Sequence, residues 1–264
     1  MREQLLASTF WGIRRPKVPL AQGHFLLRLN DPSIAFGAES AADLLRCYGH
    51  LRRAMTDLAG ATAAQLYIAL NWHPVGDAVG EPLPETSTPT VHAFFSWPGS
   101  TTAASALRLP AHQRVAVGNT EGLDERLRVW GGGLVSDTPG GPTPGPDRAW
   151  EPPGWADRPF HIEPVGPAPG ESFRGGHWSA VARFPAATLD GTDPLSLLAL
   201  AKNMTVLASH SRPPFQGVTL WVTEEWPSPV PAVIHLFARR HGEEPQQIAD
   251  FVAGGGLDLP LSQD

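Results

Sequence analysis

Apolar and polar positions along the chain alternate between two periods, and the switches between them outline the elements. Gly23-His24-Phe25-Leu26-Leu27-Arg28-Leu29 reads as a strand, and Gly176-His177-Trp178-Ser179-Ala180-Val181-Ala182-Arg183-Phe184 reads as a second one. After the first, Leu44, Tyr48, Leu51, Met55 and Leu58 recur at three- and four-residue intervals. That spacing predicts an amphipathic helix, with Ser40 and Asp43 placed as a capping box at its start. After the second, Asp193-Pro194 opens another helix that buries Leu197, Leu198, Ala201, Met204 and Leu207. Each helix is followed by a strand ending in tryptophan, Gln65 to Trp72 and Val218 to Trp226. A Pro-rich connection and one more strand complete each series, Thr90 to Phe95 with His92 and Val233 to Arg239 with His235.

The order strand, helix, strand, strand therefore occurs twice, which predicts a duplicated unit. His24 and His92 are separated by 68 residues, His177 and His235 by 58, and the longer connection at 75–88 accounts for most of the difference. Between the halves, proline and glycine occupy 19 of the 40 positions from 131 to 170, a density that excludes a helix or a central strand. The expected division is a first unit at 1–130, a Pro/Gly-rich linker at 131–175 and a second unit at 176–264. The expected fold class is α+β, as two half-barrel antiparallel sheets with a helix each, paired across a pseudo-twofold into one extended sheet or an intramolecular pseudo-dimer. Such a protein functions as a monomer or a homodimer.

Composition narrows the function. The 264 residues carry a net charge of −6 with charges scattered, so no basic stripe suits a nucleic-acid backbone. Arg14-Arg15-Pro16-Lys17 is the one dense basic patch, and a solvated turn is its expected structure rather than a phosphate clamp. No apolar run reaches the roughly 20 residues that cross a bilayer, and the segment around Trp11 to Arg15 interrupts any signal-like stretch. Cys47 is the single cysteine, which rules out an internal disulfide and a thiolate metal cluster, and a cytoplasmic location is expected. Ten histidines include no metal-ligating spacing, so neither metal nor cofactor is implied. Nine tryptophans against two tyrosines leave rings to spare for lining a cleft.

The repeated unit resembles the histidine-triad superfamily, and within it the duplicated branch of galactose-1-phosphate uridylyltransferase and the dinucleoside polyphosphate phosphorylases. Asn71 stands where that family has an Asn at a strand end. Thr86-Ser87-Thr88-Pro89-Thr90-Val91-His92-Ala93-Phe94 runs parallel to its polar-polar-x-Pro-His-x-His-x-His/Gln segment, with His92 in the nucleophile's place. The outer histidine positions hold Thr90 and Phe94, and a one-residue slip of register would put Ala93 where the nucleophile belongs.

Two readings follow from the resemblance. In the first the chain is a nucleotide or sugar-nucleotide transferase or phosphorylase. His92 attacks the phosphorus, Thr90 and Ser87 donate to its oxygens, and Asn71 holds a phosphate oxygen. In the second the triad is lost and the scaffold binds a small molecule or serves unrelated chemistry, with Trp72, His73, Phe94 and Trp97 as pocket walls. A nucleotide is the expected ligand in the first. The orientation of His92, into a cleft or bonded back into the fold, separates them. The Pro/Gly segment as a contact for a partner enzyme is a further possibility.

Overall fold

In the computed structural model the described residues are 4–70, 79–83, 85, 89–131, 159–165, 176–182, 186–210, 215, 217–239 and 246–258. Their alternating segments pair into one antiparallel sheet of nine strands. The strands are β1 (Gln4–Ala7), β2 (Trp11–Arg14), β3 (His24–Leu29), β4 (Ala63–Ala69), β5 (Thr90–Ser96), β6 (Phe160–Pro164), β7 (His177–Ala182), β8 (Gly217–Glu225) and β9 (Val233–Arg239). Five helices accompany them: α1 (Ala38–Ala59), α2 (Ala104–Leu107), α3 (Glu121–Trp130), α4 (Pro194–His210) and α5 (Gln246–Ala253). The strand order is β1-β2-β3-β5-β4-β8-β9-β7-β6. Outward from the central β4–β8 pair it runs β5, β3 on one side and β9, β7 on the other. Of the two arrangements expected from the sequence, one extended sheet or a pseudo-dimer, the extended sheet is found, because β4 and β8 pair along their length from Ala63↔Glu225 to Ala69↔Thr219.

Alternation along each strand sends every second side chain to one face. Phe25, Leu27, Leu66, Ile68, Val91, Ala93, Phe95, Val218, Leu220, Ile234 and Leu236 form the core on the face that α1 and α4 cover. The other face carries His24, Tyr67, His92, Phe94, Trp221 and Phe237, and a second apolar layer from α2, α5 and residues 20–21 packs on it. The central strands β4 and β5 are buried on both faces, which is why their sequences read as near-continuous apolar runs.

The predicted helices form, with altered boundaries. α1 is capped by Gly37, not Ser40; Ser40 lies in the first turn and its Oγ accepts the Gly37 N–H at 2.9 Å. Asp43 is not a capping partner but is buried, accepting the Ser8 hydroxyl and the Phe10 N–H at 2.7 Å each. That carboxylate fastens the β1–β2 hairpin, two strands the sequence reading did not foresee, to α1. Asp43→Ala strands both donors and is expected to cost about 2 kcal/mol or more in urea unfolding, with a loss under about 0.5 kcal/mol counting against the tie. In α4, Asp193 does cap the first turn by accepting the Ser196 N–H at 2.9 Å. Leu197 and Met204 are buried as expected, whereas Leu200 takes the core position the reading assigned to Leu198 and Ala201.

Side-chain hydrogen bonds join α1 to the second half of the chain, among them Trp226 Nε1–H to Thr56 Oγ1 at 2.9 Å. Arg52 of α1 holds Asp190 with two hydrogen bonds of 2.9 Å, and the Tyr48 hydroxyl donates to Glu224 of β8. Glu224 also accepts the Leu189 N–H at 2.6 Å. Within the Pro/Gly-rich stretch, Phe160–Pro164 forms β6, an edge strand where proline is tolerated. Trp150 and Trp155 lie outside the described residues.

Candidate functional site

Thr90, His92 and Phe94 share the face opposite α1 and α4, and β3 brings a second histidine beside them. In the β3–β5 register His24 stands opposite Phe94 and Leu26 opposite His92. The two imidazoles meet on the diagonal, His24 Nε2 to His92 Nδ1 at 3.0 Å, and Phe94 stacks on His24 with ring centres 4.0 Å apart. His24 is 1% exposed and His92 2%. Gly23 makes this approach possible: a Cβ there would lie 2.2 Å from the Phe95 carbonyl oxygen, whose residue also donates its N–H to Gly23 O.

Hydrogen bonding dictates where the protons sit. The Leu20 N–H donates to His24 Nδ1 at 3.1 Å, so that nitrogen is an acceptor. Burial first, then the charges of His92 and Arg15, holds His24 well below its ordinary pKa, and burial pushes His92 down to about 3. Both rings are therefore neutral. A neutral His24 with an accepting Nδ1 carries its hydrogen on Nε2 and donates it to His92 Nδ1. His92 in turn carries its own hydrogen on Nε2. His92 thus offers an N–H donor, while its lone pair faces His24.

A like arrangement occupies the second half. His177 Nε2 and His235 Nδ1 lie 3.0 Å apart, Phe237 stacks on His177 at 4.4 Å, and Phe251 of α5 lies 4.6 Å from His235. This pair is half-buried, and burial lowers His177 to about 4. Among the described residues no backbone N–H pins His177 as Leu20 pins His24.

Between the pairs, β4 and β8 place Tyr67 directly opposite Trp221. The segment at 79–83 crosses above them. Its Glu81, 1% exposed, accepts the Tyr67 hydroxyl at 2.9 Å and pairs with Arg239 of β9, and Gly80 O accepts Trp221 Nε1–H at 3.2 Å. Arg114 donates to the Glu81 carbonyl.

Several expectations change. Trp97 follows β5 and packs, partly buried, against the helix-side core. Asn71, Trp72, His73 and Ser87 lie outside the described residues. Arg15 is not in a solvated turn: it is 5% exposed, pairs with Asp124 at 2.6 Å, donates to His24 O at 2.8 Å and covers the Phe25 ring. His24 and His177 each pair with the histidine of a neighbouring strand, and the recurrence of Gly-His at the start of each first strand is the sequence signal for them. Glu81 and Arg239 had none. Among the described residues no three His, Cys, Asp or Glu side chains are grouped to hold a metal ion, and no helix is long and apolar enough to cross a membrane.

No family model matches the chain, and no curated protein matches it in sequence. Among solved structures it is similar to a uridylyltransferase, with a TM-score of 0.40, 9% identity, and coverage of 89% of this chain and 76% of that one. It is similar also to a uridylyltransferase mutant, with the same score and identity and coverage of 88% and 77%. A likeness of that degree bears on neither family nor activity.

Proposed function

We propose that this chain is a triad-less histidine-triad-like scaffold that binds a nucleotide or other small molecule on its histidine face, without forming a covalent histidine intermediate. On this reading residues 1–130 and 176–264 are diverged copies of one unit, joined by 131–175. The matching trios His24–His92–Phe94 and His177–His235–Phe237, and the matching strand order on either side of β4–β8, support the duplication.

The observation that carries the functional reading is the chain of hydrogen bonds from Leu20 N–H through His24 to His92. A histidine nucleophile needs an unprotonated ring nitrogen aimed at phosphorus. In His92 the lone pair of Nδ1 is taken by His24, and Nε2 bears hydrogen. Phe94, where the resembling family has His or Gln, supplies no proton to a leaving group. What remains is recognition: Nε2–H as a donor, Thr90 two residues away on the same face, and aromatic rings alongside.

The test is a thermal-shift panel of nucleoside mono- and diphosphates, sugar nucleotides and non-nucleotide metabolites on the wild type and His92→Gln, with a radiolabelled nucleotide trap in parallel. A ligand at a hundredfold its Kd adds about 2.7 kcal/mol, a shift of several degrees. A His92-dependent shift without any labelled protein is expected. Label retained on His92 would restore the nucleophilic mechanism and end this reading.

A further inference from the structure

The sheet face that carries His92 and Thr90 also carries two guanidinium groups. In the β2–β3 register Gly12 stands opposite Arg28 and Arg14 opposite Leu26, so Arg14 and Arg28 are diagonal neighbours on one face. The next strand puts Thr90 opposite Arg28 and His92 opposite Leu26. Gly12 adds no side chain between them; a Cβ there would crowd Asn30 and Gln4.

Like charges on adjacent strands are unfavourable unless something balances them. Here little does. Arg14 donates to the Gln4 side-chain oxygen at 2.9 Å, a neutral partner. Among the described residues no carboxylate pairs with either guanidinium, although the chain as a whole carries six more acidic than basic groups. Both Nε atoms are buried with no hydrogen-bond partner. Arg14 is lowered from its ordinary pKa by burial and then by the charge of Arg28. Both residues are half-buried, so their heads remain within reach of a solute.

We infer that Arg14 and Arg28 form an anion clamp for the phosphate of a phosphorylated ligand, seated beside Thr90 on the histidine face. Guanidinium groups match phosphate oxygens in paired hydrogen bonds, and a dianion balances both charges at once. Inorganic pyrophosphate fits the same chemistry and serves as the probe. This inference rests on the proposed function for the rest of the ligand, but not for the clamp itself.

The experiment is calorimetric titration of the full chain with pyrophosphate and with nucleoside monophosphates, in the wild type, Arg14→Gln and Arg28→Gln. Arg53→Gln, an exposed change on α1, controls for lost charge alone. Binding is expected to weaken tenfold or more in each clamp variant, to weaken with added salt in the wild type, and to survive in Arg53→Gln. Melting temperature in Arg28→Gln should hold or rise, since a repulsion is removed. Equal affinity in the clamp variants, absence of pyrophosphate binding at millimolar concentration, or a clear drop in melting temperature would each overturn the clamp. The two readings fail separately. Nucleotide binding indifferent to Arg28 removes the clamp and spares the histidine-face reading. Arg28-dependent pyrophosphate binding, with no His92-dependent ligand in the panel, does the reverse.

Discussion

Glu81→Ala is expected to destabilise the protein by about 3–5 kcal/mol, among the largest effects of any single polar substitution. The Glu81 and Arg239 side chains are 1% and 4% exposed, and the carboxylate also receives the Tyr67 hydroxyl. Removing it takes a carboxylate away from a buried guanidinium and a buried phenol beside an aromatic layer built on Trp221 and Phe94. Burial first, and next the Glu81 charge, holds the Tyr67 hydroxyl well above its ordinary pKa, and the burial persists in the variant and opposes ionisation of the phenol. Glu81→Gln keeps a hydrogen-bond acceptor for Tyr67 and is expected to lose less. Urea denaturation of the three proteins decides the matter. A loss below about 1 kcal/mol in Glu81→Ala would mean that the segment at 79–83 is not anchored through this carboxylate.

The second large effect is a stability maximum near neutral pH with a steep acid limb. His24 and His92 fold in the neutral form, their pKa values depressed, whereas in the unfolded chain they take up protons below about 6.5. Their contribution is therefore present above pH 6.5 and lost as pH falls toward about 3, where folded His92 titrates. Each such proton gives a slope of about 1.4 kcal/mol per pH unit. Glu224 acts in the opposite sense. Burial pushes it up to about 8, so its contribution is full below 4.5 and is lost as pH rises through 8. Between about 4.5 and 6.5 Glu224 cancels one slope of the His24–His92 pair and one remains, with half-buried His177, lowered to about 4, adding to it in the same window; below about 4.5 the Glu224 offset is gone. Denaturant unfolding at about pH 8, 6.5 and 5 should show the highest stability at the middle value. Glu224→Gln should flatten the alkaline limb, and His92→Leu should take about one proton from the acid slope, whatever it does to stability overall. Stability that is flat from about pH 6.5 to 5 in the wild type would contradict the buried neutral pair.

The acid limb also bears on ligand binding. Protonating His92 at Nδ1 breaks its bond with His24, and protonating His24 at Nδ1 breaks its bond with the Leu20 N–H, because each ring has one accepting nitrogen and both are in use. The same pair that sets the donor on His92 is thus expected to be the first part of this face to give way on acidification. In the second half His177 is half-buried, and among the described residues no backbone N–H pins it as Leu20 pins His24.

How much of this could be read from the chain depends on the range of the interaction. Local periodicity was enough for α1 and α4, since Leu44, Tyr48, Leu51 and Met55 lie on one face of a helix whatever surrounds it. It was enough for β3, β4, β5, β7, β8 and β9, and for the placing of Thr90, His92 and Phe94 on a common strand face. It failed at β1 and β2, where four-residue strands carry too few alternations to stand out and Arg14-Arg15-Pro16-Lys17 looks like a polar turn. It failed at the α1 cap because Gly37 and Ser40 are both admissible starts, and only the need to bury Asp43 under the β1–β2 hairpin decides between them.

By itself, then, the sequence determined the α+β class, the twofold recurrence of strand, helix, strand and strand, and the presence of a lone histidine on each final strand. The tertiary structure alone decided which side chains meet. His24 and His92 are 68 residues apart and meet through the β3–β5 register; Arg14 and Arg28 become neighbours through β2–β3; Glu81 reaches Arg239 across 158 residues. The physical reason is that a strand's own pattern sets only the face of each residue. Its partner and its register come from long-range pairing, and those two set the proton on His92 and bring two arginines together on one face.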